Sequence, residues 1–206
     1  MIELPEDVRL VLASASPRRA DLLAIVGLDF AIRPADIDEA VRLGEDPIDY
    51  VRRLSIEKAD AVERRDDELV LAADTTVEID RRILGKPTDR DDARWMLGRL
   101  AGRTHRVHSA VTAIARGSRE TLEVTTSVTF AELDASAIEC YLDRGESMDK
   151  AGAYAIQGAG AALVSSIEGS ASNVIGLPLA ETLAMIGRIV PAQGAANDQT
   201  SRSTRR

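Results

Sequence analysis

The sequence holds a single cysteine, Cys140, among its 206 residues. An intrachain disulfide is therefore excluded, and such sparing use of cysteine fits a reducing compartment. Aromatic side chains make up only 3% of the chain, too few for the stacking platform on which single-stranded nucleic acid is read. Positive charge is in deficit, with 26 Lys and Arg against 34 Asp and Glu, a net charge of -8. That balance argues against nucleic acid or an anionic membrane as partner. No stretch approaches the ~20 apolar residues of a membrane span. The opening MIELPEDVRLVLAS has neither a basic start nor a long apolar run. A cytoplasmic protein is expected, binding neither nucleic acid nor membrane. A small anionic ligand stays open, because a local cluster of Arg and Lys outweighs a distant negative surface.

Metal and nucleophile signatures are also missing. His105 and His108 stand three apart in a predicted strand, so they point to opposite faces and do not pair on a metal. Without an HxE or a CxxC, a zinc deaminase site is unsupported. Cys140, beside Ile138 and Tyr141 in a predicted helix, reads as core rather than nucleophile. Lys86 is not set in a G-x-x-x-x-G-K-[ST] loop.

What is present is an ordinary globular composition, 45% hydrophobic and 29% charged. The length suits a single domain over residues 1–190, with two lobes, and a small, polar tail over 191–206 that is expected to be disordered. Strands are predicted at Arg9–Ala13, Phe30–Ile32, Leu69–Ala73, His105–Ala115, Thr121–Phe130 and Ala162–Ile167. A hairpin through Asp80-Arg81 is expected after Val77-Glu78-Ile79. Helices are predicted at Pro17–Val26, Pro47–Arg65, Asp89–Leu100, Ala135–Arg144 and Pro178–Val190, with the run Glu63–Glu68 as a solvated helix end and Trp95 and Met96 in core or interface. Early alternation of strand and helix, followed by antiparallel strands, makes an α/β protein with a mixed sheet.

Two features point to chemistry. In ASASPRRADLL, Ser16-Pro17 starts a helix, yet Arg18 and Arg19 follow at the positive end of its dipole. An anion bound to the free N–H groups there converts that repulsion into a charge-assisted clamp; the alternative is arginines that face solvent. Asp74 follows the apolar run Leu69–Ala73, at what reads as the end of a buried strand, where α/β proteins place catalytic groups. It could orient a divalent metal or take a proton from water; the alternative is a turn aspartate bonded to nearby amides. Lys58 and Lys86 are mobile point charges, each weak evidence by itself.

Taken together and in order, SASPRR, ADT, LGKP, DKAGAYAIQG and NVIGLP resemble the Maf family of nucleoside triphosphate pyrophosphatases, over about Val11 to Leu183. The resemblance implies a two-lobed mixed α/β fold with a central cleft, of the inosine triphosphatase type and often dimeric. It implies hydrolysis of a nucleoside triphosphate to the monophosphate and pyrophosphate with a divalent metal, Mg²⁺ or Mn²⁺. On this resemblance Ser14, Arg18 and Arg19 bind phosphate, Lys58 and Lys86 line the triphosphate, Asp74 is the general base and Glu39 stands with it near the metal. Arg18, Thr75 and Gln157 resemble the branch acting on dTTP and UTP; the 7-methyl-GTP branch carries Trp after the first Pro and Glu in place of the Gln. Ala155 and Ser109 depart from the usual Gly and Thr. The rival expectations are another base, such as 7-methyl-GTP, and a nucleotide-binding regulator of cell division.

Overall fold

The computed structural model describes residues 4–191, so the expected tail beyond Pro191 lies outside the described residues. The centre is a 7-stranded sheet in the order β2-β1-β3-β5-β6-β7, with β4 also on β3. Strands β1 (Arg9–Leu12), β2 (Phe30–Ile32) and β3 (Glu68–Ile79) are parallel. The antiparallel part is β4 (Arg82–Leu84), β5 (Thr104–Ala115), β6 (Ser118–Phe130) and β7 (Val164–Glu168). The expected mixed sheet is thus present. The β3–β4 hairpin turns through Asp80 and Arg81 at φ 51° and 61°, and β5–β6 through Arg116 and Gly117 at 50° and 80°. Left-handed pairs of this kind match the twist of the strands they join.

Six α-helices flank the sheet among the described residues: α1 (Pro17–Ile25), α2 (Pro47–Ala61), α3 (Arg90–Leu100), α4 (Ala135–Leu142), α5 (Ala171–Ile175) and α6 (Leu179–Ile189). The side chains of Asp46, Asp89 and Asp134 accept first-turn N–H groups of α2, α3 and α4, each such cap being worth about 1 kcal/mol. Helix α2 stops at Ala61, short of the expected Arg65, because Val62 turns extended and is buried. Glu68 is not part of a solvated helix end: it opens β3, buried, with its carboxylate accepting from Arg33 at 2.9 and 3.0 Å and from the Arg65 N–H at 2.9 Å. Cys140 is exposed rather than core, since α4 buries the face carrying Ile138, Tyr141 and Leu142. Met96 is buried, whereas Trp95 lies half-exposed under the Arg82 guanidinium. Helix α5 went unpredicted; Ser170 caps it.

The pattern along β3 explains where a cleft forms. Its alternate residues Leu69, Leu71 and Ala73 join an apolar cluster with α1 and α6, while Val77 and Ile79 join a second with α3 and α4. Thr75 falls between them, opposite Ser109 on β5, so a polar band parts two cores on one sheet face. On the other face Val70 and Ala72 pack with Ala59 of α2, and the series then turns polar at Asp74, Thr76 and Glu78. The edge of β3 adds the opening. It pairs with β1 only as far as Leu71 and with β4 only from Val77. Between those points that edge has no strand partner among the described residues.

Candidate active site

A cleft of about 540 Å³ occupies this gap. The β1–α1 loop, the 35–39 loop, α2, the middle of β3, Gly85-Lys86 and the 149–157 segment all contribute to its walls. Asp74 sits in it, but not at a strand end as expected: β3 continues through Asp74-Thr75-Thr76 to Ile79. The continuation is enforced by β5, which stays in register from Val70↔Ile114 to Glu78↔Arg106. Asp74 reaches the ligand space because β1, rather than β3, has ended there.

Lys58, in the last turn of α2, is the hub of the charged group. Its ammonium donates to Asp74 Oδ1 at 2.6 Å and lies 2.7 Å from Glu39 Oε1. Glu39 is carried by a loop whose backbone carbonyl at that residue accepts from the Tyr50 hydroxyl at 3.0 Å. Burial pushes the Asp74 carboxyl above the ordinary aspartate range, with Lys58 and Arg19 opposing and Glu39 reinforcing. Burial also pushes Glu39 up, but there the hydrogen bond and charge of Lys58, with Lys86 and Arg19, outweigh it and hold the group below its usual range. Two neighbouring carboxyls are thus drawn apart, one toward proton exchange and one toward permanent charge, the division expected of acid–base machinery. Lys86 is exposed on the cleft wall.

The paired arginines have different fates. Arg19 is buried beneath the cleft, where it donates to the Gly176 carbonyl (2.8 Å), Ser14 Oγ (3.0 Å) and Thr75 Oγ1 (3.3 Å). Burial lowers its pKa, against the pull of Asp74, and a guanidinium remains protonated in such a setting. Arg18 stays partly exposed and pairs with Asp149 Oδ2 at 2.9 Å. Thr75 Oγ1 also donates to Gly176 O (3.2 Å) and shares a 2.7 Å hydrogen bond with Ser109 Oγ. Ser14, Arg18, Arg19, Glu39, Lys58, Asp74, Thr75, Lys86 and Gln157 therefore all line one cleft. Not anticipated were Tyr50, Asp149 and Lys150, which line it too. For Asp149 and Lys150 the only signal was their place in the DKAGAYAIQG motif.

Among the described residues no group of three or more His, Cys, Asp or Glu side chains is placed to hold a metal ion. His105 is bonded to the Tyr154 hydroxyl (2.7 Å) and His108 to Thr125 Oγ1 (2.8 Å). The cleft does offer two hard oxygen donors, Glu39 and Asp74, gathered within 2.7 Å of one ammonium. That donor set fits Mg²⁺ or Mn²⁺, which are commonly held by one or two carboxylates with substrate phosphates completing the shell. It lacks the nitrogen and sulfur donors usual for zinc.

A family model described as Maf-like protein matches residues 9–189. The chain is 54% identical over 184 residues to the dTTP/UTP pyrophosphatase of Anaeromyxobacter dehalogenans, covering 87% of this chain and 93% of that protein. It is 49% identical over 185 residues to the dTTP/UTP pyrophosphatase of Pseudoalteromonas atlantica, covering 87% and 96%. Among solved structures it is similar to the Staphylococcus aureus Ham1 protein, with TM-score 0.43 and 14% identity over 60% of this chain and 72% of that one, too slight a likeness to bear on fold or function. With a family match spanning nearly all the described residues and relatives this similar along most of their length, the chain belongs to the Maf family.

Proposed function

We propose that this chain is a nucleoside triphosphate pyrophosphatase that clears dTTP and UTP from the nucleotide pool, yielding the monophosphate and pyrophosphate. The observation that carries the reading is the Lys58 bridge between Asp74 and Glu39, set in a cleft also lined by Arg18, Arg19 and Lys86. A protein that merely bound a polyphosphate would gain nothing from two carboxylates beside the anion. A water-activating site needs one. The names of its relatives supply the base preference.

In this reading Asp74 takes a proton from a water whose oxygen bonds to the α-phosphorus, while the bond from that phosphorus to the bridging oxygen breaks and pyrophosphate leaves. Burial raises the affinity of Asp74 for a proton, which suits it to that task. Arg18 and Lys86 meet the charge that develops on the departing pyrophosphate, and Arg19 reinforces the field from below. Lys58 holds Asp74 and Glu39 in place. Glu39, kept ionised, and Asp74 would hold Mg²⁺ or Mn²⁺. That cation, when bound, supplies positive charge to offset the triphosphate. Gln157, on the exposed rim, offers an amide donor and acceptor to a uracil or thymine edge.

A panel of UTP, dTTP, CTP, ATP, GTP and 7-methyl-GTP, assayed for pyrophosphate release with Mg²⁺ or Mn²⁺, tests the reading. Preference for UTP and dTTP by about tenfold or more in kcat/KM is expected. A preference for 7-methyl-GTP would move the assignment to the other branch. Saturable binding without hydrolysis of any member would replace the enzyme by a nucleotide-binding regulator.

A further inference from the structure

The segment that presents Gln157 is folded back on itself. Gly158 stands at φ 97°, and a Cβ there would lie 2.9 Å from Glu146 Oε2. A Cβ on Gly160 would lie 2.0 Å from the Ala155 carbonyl oxygen, so the two ends of the turn touch through backbone. Each end is also held from outside by the region around the end of α4. The Ala155 N–H donates to the Tyr141 hydroxyl at 3.3 Å. The Ala159 N–H donates to both carboxylate oxygens of Glu146, at 3.1 and 3.3 Å. Gln157 lies between those two anchors, with its side chain exposed at the cleft.

We infer that Glu146 is a positioning residue for base selection: without touching the nucleotide, it holds the 155–160 turn so that the Gln157 amide meets the base edge at a fixed height. The inference rests on the reading of the cleft as a nucleoside triphosphate site with Gln157 at the base. A glutamine on an exposed rim has several rotatable bonds, so its selectivity depends on how firmly its backbone is held. A hydrogen bond to a charged group is stronger than a neutral one. A glycine at positive φ lets the carboxylate come close enough to make it. Three residues further along, Asp149 pairs with Arg18, so the same stretch of chain touches both the base turn and the phosphate-binding helix start.

The test compares wild type with Glu146→Ala, Glu146→Gln and Gly158→Ala in the full-length protein. For each, kcat/KM is measured on UTP and CTP, together with the inhibition constant of inorganic triphosphate, which has no base. Glu146→Ala and Gly158→Ala, which disturb the contact from its two sides, should each lower the UTP:CTP ratio about tenfold, the loss expected for one charge-assisted hydrogen bond. Glu146→Gln, which keeps an acceptor, should restore most of the ratio, and the triphosphate constant should stay within about twofold throughout. An unchanged ratio in the two alanine variants would overturn the inference. So would equal losses on UTP, CTP and inorganic triphosphate, which would mark a purely structural role. If wild type hydrolysed no nucleotide at all, the functional reading itself would fail, an outcome distinct from either of these.

Discussion

Lys58 and Asp74 form an ion pair 2.6 Å long in which both side chains are about nine-tenths buried. A pair so enclosed adds little net stability, since each charge has lost its water, but removing one member leaves the other uncompensated. Its value is positional. The Lys58 ammonium keeps one Asp74 oxygen occupied; in the proposed mechanism the second is left for the reacting water.

Replacing Asp74 by Asn should therefore lower kcat for pyrophosphate release about 10³-fold, within the range a general base contributes. The amide keeps the shape and can still accept from Lys58. Affinity for a non-hydrolysable triphosphate analogue, measured by calorimetry, should change by less than about threefold. Near-wild-type turnover would remove Asp74 from the mechanism.

The pH profile carries a signed expectation. As the proposed general base Asp74 works ionised, and burial raises its pKa, so kcat/KM should fall as pH drops, with the acid limb above the ordinary aspartate value of about 3.9. Lys58→Met removes the nearest opposing charge and should move the limb up by about one unit or more. Glu39→Gln removes a like charge and should move it down. Parallel shifts in the two variants would show that a different group is being titrated.

His105, which does not itself line the cleft, gives the fold a separate pH dependence. The ring is buried against Phe130 and Tyr154, its Nδ1 has no hydrogen-bond partner, and burial lowers its pKa to about 4. In the unfolded chain it takes a proton below about pH 6.5. The unfolded state then binds more protons than the folded one, so stability is complete above that pH and drains away as pH falls toward 4. Between pH 7 and pH 5 the loss from this one ring is about 2 kcal/mol. Urea midpoints at the two pH values should show it, and His105→Leu should flatten the slope even though it costs stability at both.

Much of this site could be read along the chain, for a physical reason in each case. The arginines at the start of α1 were conspicuous because they oppose the helix dipole, and Asp74 because it interrupts an apolar run. The length of β3 was hidden: Thr75 and Thr76 suit a loop as well as a strand, and only pairing with β5 decides. Glu68 looked like one more surface acid until Arg33, far away in sequence, closed on it. The exposure of Cys140 turned on which side of a short helix faces the sheet. Glu146 had no local mark, and Asp149 none beyond its place in DKAGAYAIQG, because their partners Ala159 and Arg18 are set by loop closure and not by periodicity.

The hydrogen bond from Arg19 to the Gly176 carbonyl spans 157 positions. Translation runs from the amino end, so the first helix leaves the ribosome long before the residue that secures its arginine. Until Gly176 emerges, the buried guanidinium lacks its carbonyl partner, and this corner of the cleft is unfinished. A nascent chain of this protein thus closes this corner of the cleft only after Gly176 has been made, by a contact of very long sequence separation.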